Sequence, residues 1–250
     1  MLLYKFVPSE NIARQVSFGV YRFYELTKYR KIEEDTGRTD LFEGAVTFTD
    51  AERQGFPEKL PLASFNGVKF GCASFSPDDD YLRQYFVFCM STRNNGQAIG
   101  DCQLAVELDT DIFALFEMLL QPPEVYGADT GGIKFFSHGP VEYYDIHNHP
   151  APIERRQWRE AYLKHSAFSY QHEYRAALFA SEHFFERVGK MPMLMERRIF
   201  DAGKNKMDFN LKVRIGSGVD EAGWRYVEFD VSEFQANLLP QPCPVLVLDK

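Results

Sequence analysis

The sequence predicts a single α+β domain over residues 1–250, with a bent, mainly antiparallel sheet and flanking helices. Three observations predict it. Hydrophobic residues make up 45% of the 250-residue chain and charged residues 26%, the balance of one folded domain rather than of a disordered polymer. Aromatic residues reach 15%, with 23 Phe and 13 Tyr, side chains that bury large areas and favour strands. Strand-like runs recur between turn signals, and no internal repeat, low-complexity tract or long linker divides them.

The elements follow in order. Leu2–Val7 reads as a first strand, and Ser9 as the N-cap of a short helix through Val16. Phe18–Tyr24 has strand composition and is expected to pair with the first segment, while Thr27–Asp40 reads as charged surface helix and loop. Ala45–Thr49 returns to strand, and Asn66-Gly67 between apolar flanks marks a two-residue hairpin. Asp78 or Asp79 is suited to cap a helix leading to Tyr85. Phe86–Ser91 and Cys102–Leu108 read as strands, and Thr110–Leu120 as the clearest helix. Ile133–Phe136 and Val141–Tyr144 are expected to form a hairpin across His138-Gly139-Pro140, and Pro152–Lys164 has helical composition. Tyr170–Ala180 reads as a strand, Asp208–Ile215 and Trp224–Val231 as a late pair, and Pro240, Pro242 and Pro244 stiffen an extended tail.

Composition narrows the function classes. A net charge of −8 disfavours non-specific nucleic-acid binding, and Arg155, Arg156 and Arg159 read as a solvated helix face. The four cysteines, Cys72, Cys89, Cys102 and Cys243, lack CxxC or zinc-like spacing and read as reduced. With no signal-peptide pattern and no apolar run of spanning length, the expected location is the cytoplasm, away from the membrane. His147 and His149 read as surface side chains, and no metal site is expected. Asp78–Asp80 lacks a calcium-loop pattern, and Gly127–Gly132 lacks a phosphate-loop pattern.

The segment from Tyr162 to Leu178 carries the most chemistry. On a strand from Tyr170, side chains alternate, so Gln171, Glu173 and Arg175 share one face. Such a triplet is more commonly an exposed face with a Glu–Arg pair; the functional reading is a carboxylate held on a rigid strand, with an amide two residues earlier.

That segment resembles the Gln/Glu-x-Glu motif of ADP-ribosyltransferases, with Gln171 and Glu173 at its two positions. The resemblance implies a Glu173 that orients the nicotinamide ribose of NAD and stabilises the cation formed as nicotinamide leaves, and a Gln171 that positions the acceptor. Ser74-Phe75-Ser76 resembles the family's Ser-Thr-Ser element, with Phe in its middle, and implies a serine that supports the carboxylate. Lys5 stands in the first strand where the pattern has Arg or His, which implies a contact to an NAD phosphate or ribose, and Arg175 is grouped with the NAD-binding residues as an orienting group for Glu173 or, equally, its structural salt-bridge partner. The chain also resembles a family of uncharacterised bacterial domains, through Leu3–Phe6, Asp40–Glu43, Cys72–Ser76, and Lys164 with Phe168, Tyr170, Gln171, Glu173 and Arg175. The expected function is therefore transfer of ADP-ribose from NAD to a macromolecular acceptor, or hydrolysis of NAD. The alternative is a non-catalytic bacterial interaction or defence accessory protein of unknown partner.

Overall fold

A computed structural model of the chain describes residues 1–29, 46–48, 64–65, 68–69, 73–75, 82–94, 102–120, 132–144, 159–201, 206–232 and 242–249. The chain opens with β1 (Leu2–Val7) and α1 (Glu10–Ser17). Ser9 caps that helix as expected, its Oγ accepting from the Ile12 N–H at 3.4 Å. β2 (Val20–Glu25) follows, then the short strands β3 (Val46–Phe48), β4 (Ser64–Phe65), β5 (Val68–Lys69) and β6 (Ala73–Phe75). β4 and β5 pair across Asn66-Gly67, and β3 pairs with β6. β7 (Tyr85–Ser91) and β8 (Leu104–Asp109) lead into α2 (Asp111–Leu120). The capping oxygen of α2 comes from Asp109, one residue before Thr110, and accepts from the Asp111 N–H at 3.2 Å.

β9 (Ile133–Pro140) and β10 (Glu142–Tyr144) precede a 3₁₀ turn at Arg159–Tyr162, β11 (Leu163–His165) and a second 3₁₀ turn at Ser166–Gln171. β12 (Glu173–Ala180), α3 (Glu182–Lys190), β13 (Met193–Asp201), β14 (Lys206–Val219), β15 (Arg225–Asp230) and β16 (Val245–Val247) complete the described elements. This is an α+β architecture on a mainly antiparallel sheet, in which ten strands join. No helix among the described residues is long and apolar enough to cross a membrane.

The sheet runs β13-β14-β15-β2-β7-β1-β8-β16, with β12 on β7 and β9 on β12. β12 occupies one edge of β7 along its length, Phe179 facing Tyr85 and Glu173 facing Ser91. β1 and β2 therefore share the other edge. β2 holds Phe86 and Val87, and β1 holds Ser91, so the two strands part around Cys89. A parted sheet exposes backbone groups that need partners. Lys5 supplies one, donating from Nζ to the Cys89 carbonyl at 2.8 Å with its ammonium 4.5 Å from the Phe88 ring centroid.

Period-two alternation sends Tyr21 and Phe23 of β2 into the larger core. There Phe23 meets Phe229 edge-on at 4.9 Å, and Phe116 stacks on Phe229 at 5.1 Å. On the opposite face of β7 and β12, Tyr85, Val87, Ala177 and Phe179 build a smaller core with Leu26 and Leu82. The aromatic excess of the composition thus fills both faces of one sheet.

Several expectations are corrected. β1 and β2 do not pair with each other, because β7 lies between them. No hairpin forms at His138-Gly139-Pro140: β9 runs straight through, Gly139 facing Arg175 and Pro140 facing Tyr174. Proline is tolerated at the end of a strand with only one described partner. Leu163–His165 is a strand rather than the end of a helix, parallel to β10. α3 and β13 fall in a stretch for which no element is predicted from sequence, although Ser181 ahead of Phe184, Phe185 and Val188 is an N-cap signal and accepts from the Phe184 N–H at 3.3 Å. The expected helix near Asp78 and Asp79, His147, His149, Arg155 and Arg156 lie outside the described residues.

Candidate functional site

Glu173 is the first residue of β12. The strand does not begin at Tyr170 as expected, because His172 turns left-handed with φ 45° and ends the 3₁₀ turn before it. Gln171 therefore sits on that turn, half-buried, with Nε2 3.4 Å from the Tyr170 hydroxyl, and does not share a strand face with Glu173. Glu173 and Arg175 do share one, and both are buried.

The Glu173 carboxylate is engaged at both oxygens. Arg175 Nε donates to Oε1 at 2.7 Å, and Lys164 Nζ donates to Oε2 at 3.2 Å. Arg175 Nη1 also donates to the Ala161 carbonyl at 2.9 Å, and the Lys164 ammonium lies 5.0 Å from the Phe168 ring centroid. The Glu173 N–H donates to the Tyr143 hydroxyl at 2.8 Å. Register explains how Lys164 and Tyr143 arrive together: they face each other across the parallel β10–β11 pair. Glu173 remains only 7% exposed, so its charge depends on these partners.

Burial pushes the Glu173 carboxyl up, but Arg175 and then Lys164 outweigh it and hold the group at about 2. It is an anion at every physiological pH. Burial pushes the Cys89 thiol up to about 12, reinforced by the charge of Glu173. That thiol is a hydrogen-bonding neighbour of the carboxylate, and as a neutral group it is no nucleophile. Burial lowers Lys5, while Cys89, Cys102 and Glu173 act in the opposite sense.

The residues singled out from sequence are distributed unevenly. Lys5 lies within electrostatic range of Glu173, but it stands on the strand face of Leu3 and Val7, which belong to the larger core, and reaches the Cys89 carbonyl through the parted sheet. Ser74 lies on β6, paired with Thr47 in the separate β3–β6 ribbon, and Ser76 lies outside the described residues. The serine beside Glu173 is instead Ser91, its register partner on β7. Ser91 Oγ donates to the Gln171 carbonyl at 2.9 Å and accepts from the Arg93 N–H at 3.1 Å. Thr92 adds its N–H at 2.9 Å and its hydroxyl at 3.2 Å to the His172 carbonyl. Sequence reasoning missed Ser91 because the chain holds two apolar strands ending near Cys and Ser, and nothing local ranks Cys89–Ser91 above Cys72–Ser76. Tyr143 carried no local signal.

Among the described residues no group of three His, Cys, Asp or Glu side chains gathers to hold a metal ion. No family model, curated protein or solved structure matches the chain.

Proposed function

We propose that this chain is an ADP-ribosyltransferase-like protein that takes NAD as substrate and passes its ADP-ribose to a macromolecular acceptor or to water, with Glu173 as the carboxylate beside the reacting carbon. The observation that supports this reading is a permanently ionised carboxylate at the start of a central strand, oriented through its side chain by Arg175 and through its backbone by Tyr143.

The chemistry asks for such a group. As the bond from ribose C1′ to the nicotinamide nitrogen breaks, its electron pair leaves with nicotinamide and positive charge develops on the ribose. An anion already in place stabilises that charge without reorganising. The acceptor nucleophile then bonds to C1′ and gives up its proton. Arg175 makes the shorter contact to the carboxylate and Lys164 the longer, so Oε2 is the oxygen that a ribose hydroxyl takes over from Lys164. In this reading Ser91 fills the supporting role first given to Ser74 and Ser76. Gln171 borders the acceptor side, and Lys5 acts through its field rather than by touching NAD.

A second reading has its own observation. Both Glu173 oxygens are paired in a buried cluster, which is what a structural ion network in a non-catalytic interaction protein would also show.

The two separate in one experiment. NAD binding by calorimetry and nicotinamide release are followed for the wild type, Glu173→Gln and Glu173→Asp, with thermal melts in parallel. The proposal expects wild-type release that falls at least about 100-fold in Glu173→Asp, which keeps the charge but withdraws it from the substrate. Neither binding nor release by a wild type that melts as a folded protein selects the structural network instead; the lower melt of Glu173→Gln is expected on both readings.

A further inference from the structure

The main strand path ends in two edges, β13 and β16. β13 includes Glu196, paired with Lys212 at 3.7 Å, a charge of the kind with which natural sheets discourage edge pairing. β16 is Val245-Leu246-Val247, uncharged and apolar, with Val247 83% exposed and Val245 43% exposed. Among the described residues its only strand partner is β8. Glu107 donates to the Pro244 carbonyl and Leu248 to the Gln103 carbonyl, each at 3.0 Å, so even-numbered residues turn their backbone groups towards β8. By alternation, Val245 and Val247 turn theirs outward.

We propose that this edge is the contact between two copies of the chain, paired antiparallel about a two-fold axis at Leu246. The segment is a palindrome, Val-Leu-Val, so the axis sets Val245 against the partner subunit's Val247. The outward donors and acceptors fall in phase, because both residues of each such pair face the neighbouring copy. The side chains match as well. Val245 and Val247 border an apolar groove of about 480 Å³ between α1 and the C-terminal segment, lined also by Ala13, Phe18, Leu104 and Pro242. A second copy adds its own valines beside that groove. Glu10 and Arg14 line the same groove, an acid–base pair on one helix whose order a two-fold axis reverses in the other copy. The edge is held ready for pairing: Ser17 Oγ donates to the Cys243 carbonyl at 2.5 Å, fixing the segment to α1.

The test is sedimentation velocity of the full chain from low to high micromolar concentration, with two variants. Val247→Lys places a charge on an exposed side chain, so it is expected to stay monomeric with an unchanged melt. Leu246→Cys places the cysteines of two copies directly across the axis in a non-hydrogen-bonded pair, with Cα atoms about 4.5 Å apart, within reach of a disulfide. Mild oxidation is expected to give a covalent dimer joined at that position, identified by peptide mass mapping. A wild type that stays monomeric throughout overturns the proposal. So does a dimer that survives Val247→Lys, or one that Val247→Lys abolishes but in which Leu246→Cys does not cross-link.

Discussion

At His172 the backbone adopts φ 45°, a conformation that costs a side chain with a Cβ on the order of 1 kcal/mol. The turn persists because Thr92 and Ser91 donate to the His172 carbonyl and Ser91 also holds that of Gln171. His172→Gly is therefore expected to hold or raise stability by up to about 1 kcal/mol, and His172→Val to lower it by about 1–2 kcal/mol, read from urea midpoints. The next residue gives a pH dependence of definite sign. The Glu173 carboxyl is depressed from 4.5 to about 2, so as pH falls the unfolded chain takes up the proton first. The stability contributed by the cluster is complete above about pH 4.5 and is lost as pH falls towards about 2. Glu173→Gln is expected to cost about 3–5 kcal/mol near neutrality, because it leaves Arg175 and Lys164 buried beside a neutral group, and to flatten the acid limb of the profile. Urea titrations at several acidic pH values check both. That Glu173 and Arg175 share a face was legible from the period of a strand. The closing of the cluster by Lys164 and Tyr143 was not, since both come from a ribbon whose pairing leaves no mark on either segment alone.

Among the elements, α2 and β9 show how far local pattern reaches. The apolar face of α2 is plain in the sequence, and the structure buries Ile112, Phe113 and Phe116 against the sheet. Polar contacts add to that seat: His138 of β9 has Nδ1 2.7 Å from the Tyr174 hydroxyl of β12 and Nε2 3.5 Å from Glu117 Oε2 of α2. Burial lowers the His138 pKa, and Glu117 opposes that shift only in part. As pH drops below about 6.5, the unfolded chain binds this proton before the folded one, so stability declines through that window. His138→Gln is expected to remove this slope, which sets in below about pH 6.5, in thermal melts, leaving the Glu173 slope intact. The straight passage of β9 through His138-Gly139-Pro140 was misread as a hairpin for a physical reason. Gly and Pro mark turns when no neighbouring strand claims the backbone, and here β12 pairs with it to the end.

For the molecule as a whole, the decisive feature is that β7 has three neighbours: β12 along one edge, and β1 and β2 sharing the other. The parting of β1 and β2 explains why a lysine stands in an apolar first strand, since Lys5 satisfies a carbonyl that neither strand reaches. It also explains how a first-strand cation comes within electrostatic range of a carboxylate 168 positions later in the chain, from Lys5 to Glu173. The sequence by itself determined the α+β class, the strand-rich aromatic core, the cap of α1, and the strand that carries Glu173. Those follow from local propensity and from the two periodicities of side-chain direction, which each segment carries within itself. Only the tertiary structure decided which serine stands beside Glu173, which lysine pairs with it, and that Lys5 serves the backbone of β7. Each of those depends on the register between segments far apart in the chain, and register is chosen by the burial of the whole sheet at once rather than by any one strand.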